Sequence, residues 1–379
     1  MGLTVLIANR YMGWASGTML GTRDLALELA RQGHRPIVYT WLNGHGGRAL
    51  MSAGIEVVDD LWRIPVRPDV IHGNHSPLVR GALLRFPGVP AVFVCHDPTD
   101  PWSATVPMPA IRRYFGVGEV CAKRLLSMGA PAALTGIRSN CVDLDAFTPR
   151  SELPARPARA LVFSNYATAQ IQLPAIREAC RRLDIPLDVL GRGVGNATDH
   201  PEEILGAYDL VFAVGRSALE AMAVGAAVVL CDRTSVGPMV TAAELDRLRS
   251  FNFGFGALAE PLSPEVLLRQ IGRYDSADAG RVRDLVRSRC GVPAATRTLV
   301  EDYRQVIEEA NAERSAGEGE RDGERSIGRS IAVLRHRTAT AALVTFYRAF
   351  GPGPRRVPAP LRAPYRATRA IIRRLVLVR

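Results

Sequence analysis

The segment from Gly215 to Glu220 carries the residues best suited to bind a charged ligand. An apolar, strand-like run ends at Gly215, and Arg216 and Ser217 open a helical segment. A helix N-terminus offers unpaired N–H groups and a positive dipole end, which favour a diphosphate. Glu220 lies one turn further on, where its carboxylate can accept hydrogen bonds from ribose hydroxyls. The alternative is an ordinary strand–turn–helix in which the serine is a cap and the glutamate is exposed.

A histidine and a carboxylate follow another apolar strand. His96 and Asp97 come directly after Ala91–Cys95, so the histidine is predicted to face the edge of the sheet where ligands bind. A histidine with a flanking carboxylate can orient a hydroxyl or move a proton, which makes this pair the catalytic candidate. In the simpler alternative the histidine only caps the next loop. His72 and His75 also end a strand and are weaker candidates.

Short apolar strands alternate with helix-length segments in the first half of the chain. They are predicted at Leu3–Ala8, Pro36–Thr40, Ile55–Val58, Asp69–His72 and Ala91–Cys95. This repeated β-α-β spacing predicts a parallel, doubly wound sheet in an α/β fold. We therefore expect one Rossmann-like domain over residues 1–150.

A second alternating series follows a stretch at 149–157 that is rich in proline, charge and alanine, which we interpret as a linker. Its strands are predicted at Ala160–Ser164, Leu187–Leu190, Leu210–Val214 and Ala226–Cys231. A second Rossmann-like domain is thus expected over 158–314. Its last helix, at 297–314, is long enough to cross back over the first domain.

Several of these segments resemble glycosyltransferase family 4, whose members have the two-domain GT-B fold. Gly215 to Asp232 is similar to the family's donor-binding segment, and Glu220 matches the second glutamate of its Glu–seven residues–Glu motif. Ser16-Gly17 resembles its glycine loop, and residues 137–149 resemble its Asn-Gly-Val-Asp-x-x-x-Phe-x-Pro signature. The resemblance covers roughly residues 1–310.

This resemblance implies an enzyme that transfers a sugar from a nucleotide-sugar donor to a hydroxyl acceptor, with retention of anomeric configuration. It implies that Glu220 binds the ribose, that Gly17 lets backbone approach the donor phosphates or the acceptor, and that His96 contacts donor or acceptor near the reacting carbon. The acceptor could be an envelope polysaccharide, a glycolipid or a small molecule.

The sequence also departs from the family pattern. Phe212 stands where the first glutamate is expected, and Asn165 and Gln170 stand roughly where an Arg and a Lys clamp the donor diphosphate. Arg192 and Arg216 are the candidates to replace those two cations. Two alternatives therefore stay open: a non-catalytic homologue that binds nucleotide or acts as a scaffold, and a nucleotide-sugar epimerase.

The positive charge of the chain is concentrated at its C-terminal end. Residues 326–379 contain twelve arginines and no acidic residue, whereas the whole chain has a net charge of +11, so residues 1–325 carry about −1. A charged low-complexity linker is predicted at 315–325. Arginines interleaved with aliphatic residues at helical spacing favour an amphipathic tail on an anionic membrane over a nucleic-acid contact.

Neither a cofactor nor a metal is expected. The six cysteines form no C-x-x-C pair, and no Asp-x-Asp ends a predicted strand, so the leaving group is predicted to be stabilised by dipole and arginine. No run of 18 apolar residues occurs, and residues 1–8 lack the features of a signal peptide. A cytoplasmic protein, peripheral at the inner face of the membrane if the tail binds it, is the expectation.

Overall fold

The computed structural model describes residues 2–13, 16–103 and 107–316, together with a few helical residues of the tail at 333, 336–338, 340–342 and 344–345. Most of the predicted linker at 315–325 and of the tail at 326–379 lies outside the described residues. The described residues up to 316 form two α/β lobes.

The first lobe is built on a parallel sheet of seven strands in the order β5-β3-β1-β6-β7-β8-β9. The strands of this lobe, including a separate parallel pair of β2 with β4, are β1 (Thr4–Ala8), β2 (Tyr11–Met12), β3 (Arg35–Tyr39), β4 (Leu42–Asn43), β5 (Glu56–Val58), β6 (Val70–Gly73), β7 (Ala91–Cys95), β8 (Ile111–Gly116) and β9 (Thr135–Ile137). Helices cover the sheet: α1 (Gly17–Arg31), α2 (His45–Ser52), α3 (Ser76–Arg85) and α4 (Glu119–Ser127). Every residue of β7 is buried, as expected for an apolar β-branched run inside a covered parallel sheet.

The second lobe has a six-stranded sheet in the order β11-β10-β12-β13-β14-β15. Its strands are β10 (Ala160–Phe163), β11 (Leu187–Leu190), β12 (Leu210–Ala213), β13 (Ala227–Cys231), β14 (Ser235–Met239) and β15 (Glu260–Pro261), and its helices are α5 (Leu173–Arg182), α6 (Gly215–Val224), α7 (Leu245–Ser250), α8 (Pro264–Ile271) and α9 (Ser276–Arg289). The first four strands in this order are parallel and the last two join antiparallel. The predicted α/β fold of two Rossmann-like units is confirmed.

The chain passes from the first lobe to the second near Val142 and returns to the first lobe after Gly291. Val142 and Gly291 pair as an isolated bridge, and Val142 already belongs to the core of the second lobe. Packing therefore puts the change of lobe at or before Val142, ahead of the predicted bound at 150. The final helix, α10 (Val292–Ser315), returns to the first lobe, where Val300, Tyr303 and Val306 are part of its core.

Charge pairs hold α10 against the last two strands of the first sheet, β8 and β9. Arg138 holds Asp302 through two hydrogen bonds of 2.8 and 2.9 Å, and Arg113 and Arg112 of β8 pair with Glu309 and Glu313. In packing terms, α10 therefore belongs to the first lobe, although the predicted second domain ran to residue 314.

The described residues of the tail contact the first lobe. His336 is buried, and the side chain lies so close to Gly81 of α3 that a Cβ at this glycine would stand 2.4 Å from its Nε2. The guanidinium of Arg337 lies 4.6 Å from the ring centre of Trp62, a cation–π contact. This part of the predicted amphipathic tail thus packs on protein.

Within the described part of the chain, no helix is both long enough and apolar enough to span a bilayer.

Candidate functional site

Two cavities lie between the lobes, separated by the contact between α1 and α6. The large cavity has a volume of about 390 Å³ and is walled by α1, the ends of β6 and β7, the crossing segment at 137–141 and the start of α10. The small cavity, about 50 Å³, is walled by the N-terminal ends of α1 and α6 and the loops after β10 and β11. Arg216 borders both cavities.

Glu220 is the predicted ribose ligand, and the structure places it on the wall of the small cavity. It is buried, and its Oε1 accepts a hydrogen bond of 2.7 Å from Nε of Arg216. Burial raises the pKa of Glu220, and the guanidinium offsets part of that effect. The alternative of an exposed glutamate on α6 is therefore wrong.

Arg216 joins the two lobes through a buried charge cluster. One end of its guanidinium holds Glu220 and the other holds the carboxylate of Asp24 on α1, so the three side chains form what we call the buried triad. All three are at least 93% buried. Burial lowers the pKa of Arg216, but Asp24 and Glu220 outweigh it and the net pKa is raised. Asp24 also contacts Arg23, whose Nε lies 3.1 Å from its Oδ1.

The turn before α6 differs from the expected diphosphate cradle in one respect. Gly215 has φ of +60°, a left-handed conformation that favours glycine, and its N–H donates to the carbonyl of Phe253 at 2.9 Å. This amide is thus already bonded. Val214 occupies the N-cap position and provides no side-chain cap, so the amides that follow carry the helix-end dipole, beside Ser217 in the small cavity.

The second predicted replacement cation, Arg192, lies in a short 3₁₀ turn (Arg192–Val194) that follows β11. It is exposed, and its backbone N–H donates to Oδ1 of Asn165 at 3.2 Å, which ties the loops after β10 and β11 together. Gly191 has no room for a side chain, since a Cβ would stand 2.0 Å from the carbonyl oxygen of Ser164. Gln170 is exposed.

The N-terminal loop reaches the small cavity from the first lobe. Ser16 is the N-cap of α1, and its hydroxyl accepts a hydrogen bond of 3.3 Å from the N–H of Met19. Gly17 lines the same cavity, and among the described residues a Cβ added there would meet no atom within 4 Å. The small cavity therefore brings Gly17 together with Ser217 and Glu220, while His96 lies at the large cavity.

His96 lies at the large cavity, and Asp97 does not contact its ring. Oδ1 of Asp97 instead accepts hydrogen bonds from its own loop, from Thr99 and from the N–H of Asp100 at 2.6 to 3.0 Å. The catalytic pair is therefore corrected: Asp97 closes a turn, and the partner of His96 is Asn74, whose Oδ1 lies 2.9 Å from Nε2 of His96. The physical reason is that an aspartate side chain readily accepts hydrogen bonds from the backbone N–H groups that follow it in a loop, which closes an Asx turn.

Asn74 connects His96 to a buried chain of polar groups that we call the neutral network. Its Oδ1 also lies 3.2 Å from Nε2 of His72, and Nδ1 of His72 lies 2.7 Å from the hydroxyl of Tyr303 on α10. The amide of Asn74 donates to Thr22 on α1 at 3.1 Å. Burial lowers the pKa of His72 to about 4 and that of His96 to about 3, so both rings are neutral near pH 7.

Sequence reasoning missed Asp24, Asn74 and Tyr303. Asp24 sits among ordinary helix residues, and Tyr303 is 231 positions from His72, so neither shows a local pattern. A signal existed only for Asn74, which follows the β6 strand end between two histidines. Within the described ranges, no group of three or more His, Cys, Asp or Glu side chains is arranged to hold a metal ion.

Two Rossmann-like lobes facing across a cleft, with the last helix returning to the first lobe, define the GT-B fold. Solved structures with this fold include the Anabaena protein Alr3699/HepE in complex with UDP and glucose, at 17% identity and a TM-score of 0.58, with 79% of this chain and 99% of that chain covered. The same protein in complex with UDP-glucose is 16% identical with a TM-score of 0.59, and 80% of this chain and 100% of that chain are covered. A glycosyltransferase from Rickettsia africae ESF-5 is 14% identical with a TM-score of 0.56, and 81% of this chain and 99% of that chain are covered.

At these identities the likeness establishes the fold. No protein-family model matches the sequence, and a search of curated proteins finds no match.

Proposed function

We propose that this protein is a glycosyltransferase that moves a sugar from a nucleotide-sugar donor to a hydroxyl acceptor. The observation that carries the proposal is the position of Glu220, which lies on a cleft wall beside the uncapped end of α6. A carboxylate for ribose hydroxyls thus lies beside a helix dipole for the diphosphate. The resemblance of the same segment to family 4 supports the assignment, and we propose retention of configuration on that basis.

The described conformation is closed on the donor side. A cavity of about 50 Å³ is far smaller than the several hundred Å³ that a nucleotide-sized ligand occupies. Donor binding therefore requires the α1 and α6 ends to separate. Because Asp24 and Glu220 hold Arg216 across this gap, we propose that opening the lobes breaks the contact with Asp24 and leaves Arg216 beside the incoming diphosphate.

In the proposed reaction the nucleotide binds the second lobe and the acceptor hydroxyl enters from the first. The bond from the anomeric carbon to the donor phosphate breaks, and the charge on the leaving diphosphate is stabilised by the dipole of α6 and by Arg216 and Arg192. The acceptor oxygen bonds to the same carbon, and its proton passes to the leaving phosphate. His96 lies on the acceptor side, at the large cavity.

UDP-sugars are the first donors to test, because the Anabaena structures with this fold contain UDP and UDP-glucose. Calorimetric titration of UDP-glucose, a GDP-sugar and an ADP-sugar should give micromolar binding of one donor class. We expect Glu220→Ala to weaken that binding at least about tenfold, which corresponds to roughly 1.4 kcal/mol. The exposed Glu265 on α8 offers the matched control, and Glu265→Ala should bind as the parent does. A folded protein that binds none of the three would refute the donor site.

A non-catalytic nucleotide-binding protein is the second candidate. Two observations favour it: Arg216 is held between two carboxylates, and the neutral Asn165 binds the loop backbone where a diphosphate clamp is expected. Donor binding without release of UDP in the presence of any sugar or lipid acceptor would support this candidate. Conversion of the donor without an acceptor would instead indicate an epimerase.

For the tail we propose attachment to an anionic membrane surface. The support is compositional, since residues 326–379 carry twelve arginines, no acidic residue and interleaved aliphatic residues. The full chain should sediment with vesicles containing phosphatidylglycerol and remain in solution with purely zwitterionic vesicles. Equal sedimentation with both kinds of vesicle would refute an electrostatic attachment.

A further inference from the structure

The direction of every hydrogen bond in the neutral network follows from one buried hydroxyl. Tyr303 is completely buried, and within the described part of the chain its hydroxyl has a single partner, Nδ1 of His72. A buried O–H left without an acceptor costs about 1–3 kcal/mol, so Tyr303 donates and Nδ1 of His72 accepts. Since His72 is neutral, its one N–H is on Nε2, and that group donates to Oδ1 of Asn74.

The same reasoning extends to His96. Oδ1 of Asn74 has two lone pairs, so it accepts from Nε2–H of His96 as well, while the amide of Asn74 donates to Thr22. The opposite orientation of Asn74 would require Nδ1–H of His72 to donate to Tyr303, and the buried hydroxyl would then lose its acceptor. His96 is therefore left with its proton on Nε2 and a bare lone pair on Nδ1.

His96 also borders the large cavity. His96 is partly exposed and lines it, together with apolar side chains that include Leu25, Val94 and Leu299. Its volume of about 390 Å³ is in the range of small-molecule sites. Of the four arginines that line it, Arg138 pairs with Asp302, Arg216 with Asp24 and Glu220, and Arg289 with Asp246. Arg249 donates to the backbone carbonyl of Arg289.

From these contacts we propose that Asn74 and Tyr303 are positioning residues that hold His96 as the Nε2–H tautomer, and that Nδ1 faces the large cavity and accepts a hydrogen bond from the hydroxyl of a ligand bound there. A lone pair accepts a hydroxyl proton and repels a phosphate oxygen, while the apolar wall suits the face of a sugar ring. This inference rests on the proposed function, since it makes the acceptor side of the cleft a site for a sugar hydroxyl.

The tautomer is measured on the ligand-free protein with ¹⁵N-labelled histidine, and this measurement does not depend on any activity. At pH 7 the side-chain ¹⁵N shifts of His96 should show a protonated Nε2 and a bare Nδ1. In Tyr303→Phe, His72 is released from its donor and we expect His96 to report a mixture of tautomers. A protonated Nδ1 of His96 in the parent protein overturns the proposal.

The ligand class is measured by titrating methyl glucoside and, separately, inorganic phosphate into the same sample. We expect the ¹⁵N chemical shift of Nδ1 of His96 to change when the glucoside is added and to remain unchanged when phosphate is added. Gly21 lies on α1 at the cavity, and among the described residues a Cβ there would meet nothing within 4 Å, so Gly21→Leu should fill the space and abolish the response.

Gly280→Leu on α9 is the matched control, because its Cβ is equally unobstructed and it lies away from the cavity. A response to phosphate alone, or a response unchanged in Gly21→Leu, refutes the ligand assignment. Loss of UDP binding is a separate failure, since the donor is measured at the small cavity.

Discussion

The buried triad and the neutral network lie on neighbouring walls of one cleft and use opposite chemistry. The triad of Asp24, Arg216 and Glu220 is charged and joins two lobes. The neutral network lies within the first lobe and its added helix, and it contains two uncharged histidines that burial keeps neutral. The triad and most of the network are buried, so their polar groups must bond one another.

The difference shows how each cluster responds to motion. A charged contact between lobes is strong only while both sides are in place, because separation returns the ions to water, which solvates them well. A neutral network inside one lobe moves as a unit and keeps its hydrogen bonds when the cleft opens. The triad is thus suited to control closure, and the network is suited to hold one ring orientation in every state.

Removing the shared cation should produce the largest effect. Arg216→Met leaves Glu220 buried without a partner, and breaking a buried pair in this way typically costs about 3–5 kcal/mol. Urea denaturation followed by circular dichroism measures the free energy of unfolding. Adding Glu220→Gln and Asp24→Asn to Arg216→Met should restore much of the loss. A decrease below about 1 kcal/mol in the single variant would contradict the buried-charge interpretation.

The neutral network should make stability depend on pH in the opposite sense to Glu220. His72 has a pKa of about 4 when folded and an ordinary value near 6.5 when unfolded, so the unfolded state binds more protons between these values. Its contribution, on the order of 3 kcal/mol, is complete above pH 6.5 and is lost as the pH falls towards 4. His72→Gln should therefore lose less stability than the parent between pH 7 and 4, by urea titration at each pH. Glu220, whose raised pKa acts the other way, is common to both proteins.

Parallel pH profiles for the parent and His72→Gln would show that the network does not hold His72 neutral. Replacement of the exposed His200 by glutamine is the control, and it should leave the profile unchanged.

Weakening the buried triad by changing Asp24, its member in the first lobe, should have the smallest effect. Asp24→Asn keeps Arg216 paired with Glu220 but removes one negative charge and weakens the hold across the cleft. We expect UDP to bind several-fold more tightly, because opening costs less and the local charge is more positive. Calorimetric titration measures the change. Asp145→Asn, at an exposed carboxylate near Arg31, serves as the control. Weaker binding in Asp24→Asn would mean that the triad shapes the donor site in place of closing it.

Local pattern was enough to predict the strands that carry the site. Ala91–Cys95 and Leu187–Leu190 are predicted with their observed bounds. Ala91–Cys95 is a continuous apolar run, as expected for a strand inside a parallel sheet covered on both faces, whereas Leu187–Leu190 is the half-buried edge strand of the second sheet. The strands β8, β14 and β15 were not predicted. β8 carries Arg112 and Arg113 and lacks a clean apolar run, and β14 contains a glycine and a proline.

The sequence is also sufficient to predict that Gly17, Ser217 and Glu220 lie near one another. Glycine loops and helix N-termini lie at the carboxyl ends of parallel strands, and these three residues line one cavity. The amino-acid sequence by itself determined the α/β elements, their two-lobed arrangement and the segment that lines the small cavity.

Only the tertiary structure decided the partners of the reactive side chains. Arg216 meets Asp24 across 192 residues and His72 meets Tyr303 across 231, and hydrophobic periodicity contains no information about such pairs. His96 likewise takes Asn74 as its partner and leaves its sequence neighbour Asp97 to the loop amides. The physical reason is that burial makes an unsatisfied charge or hydrogen-bonding group costly, and which groups are buried together is known only once the lobes and α10 have packed.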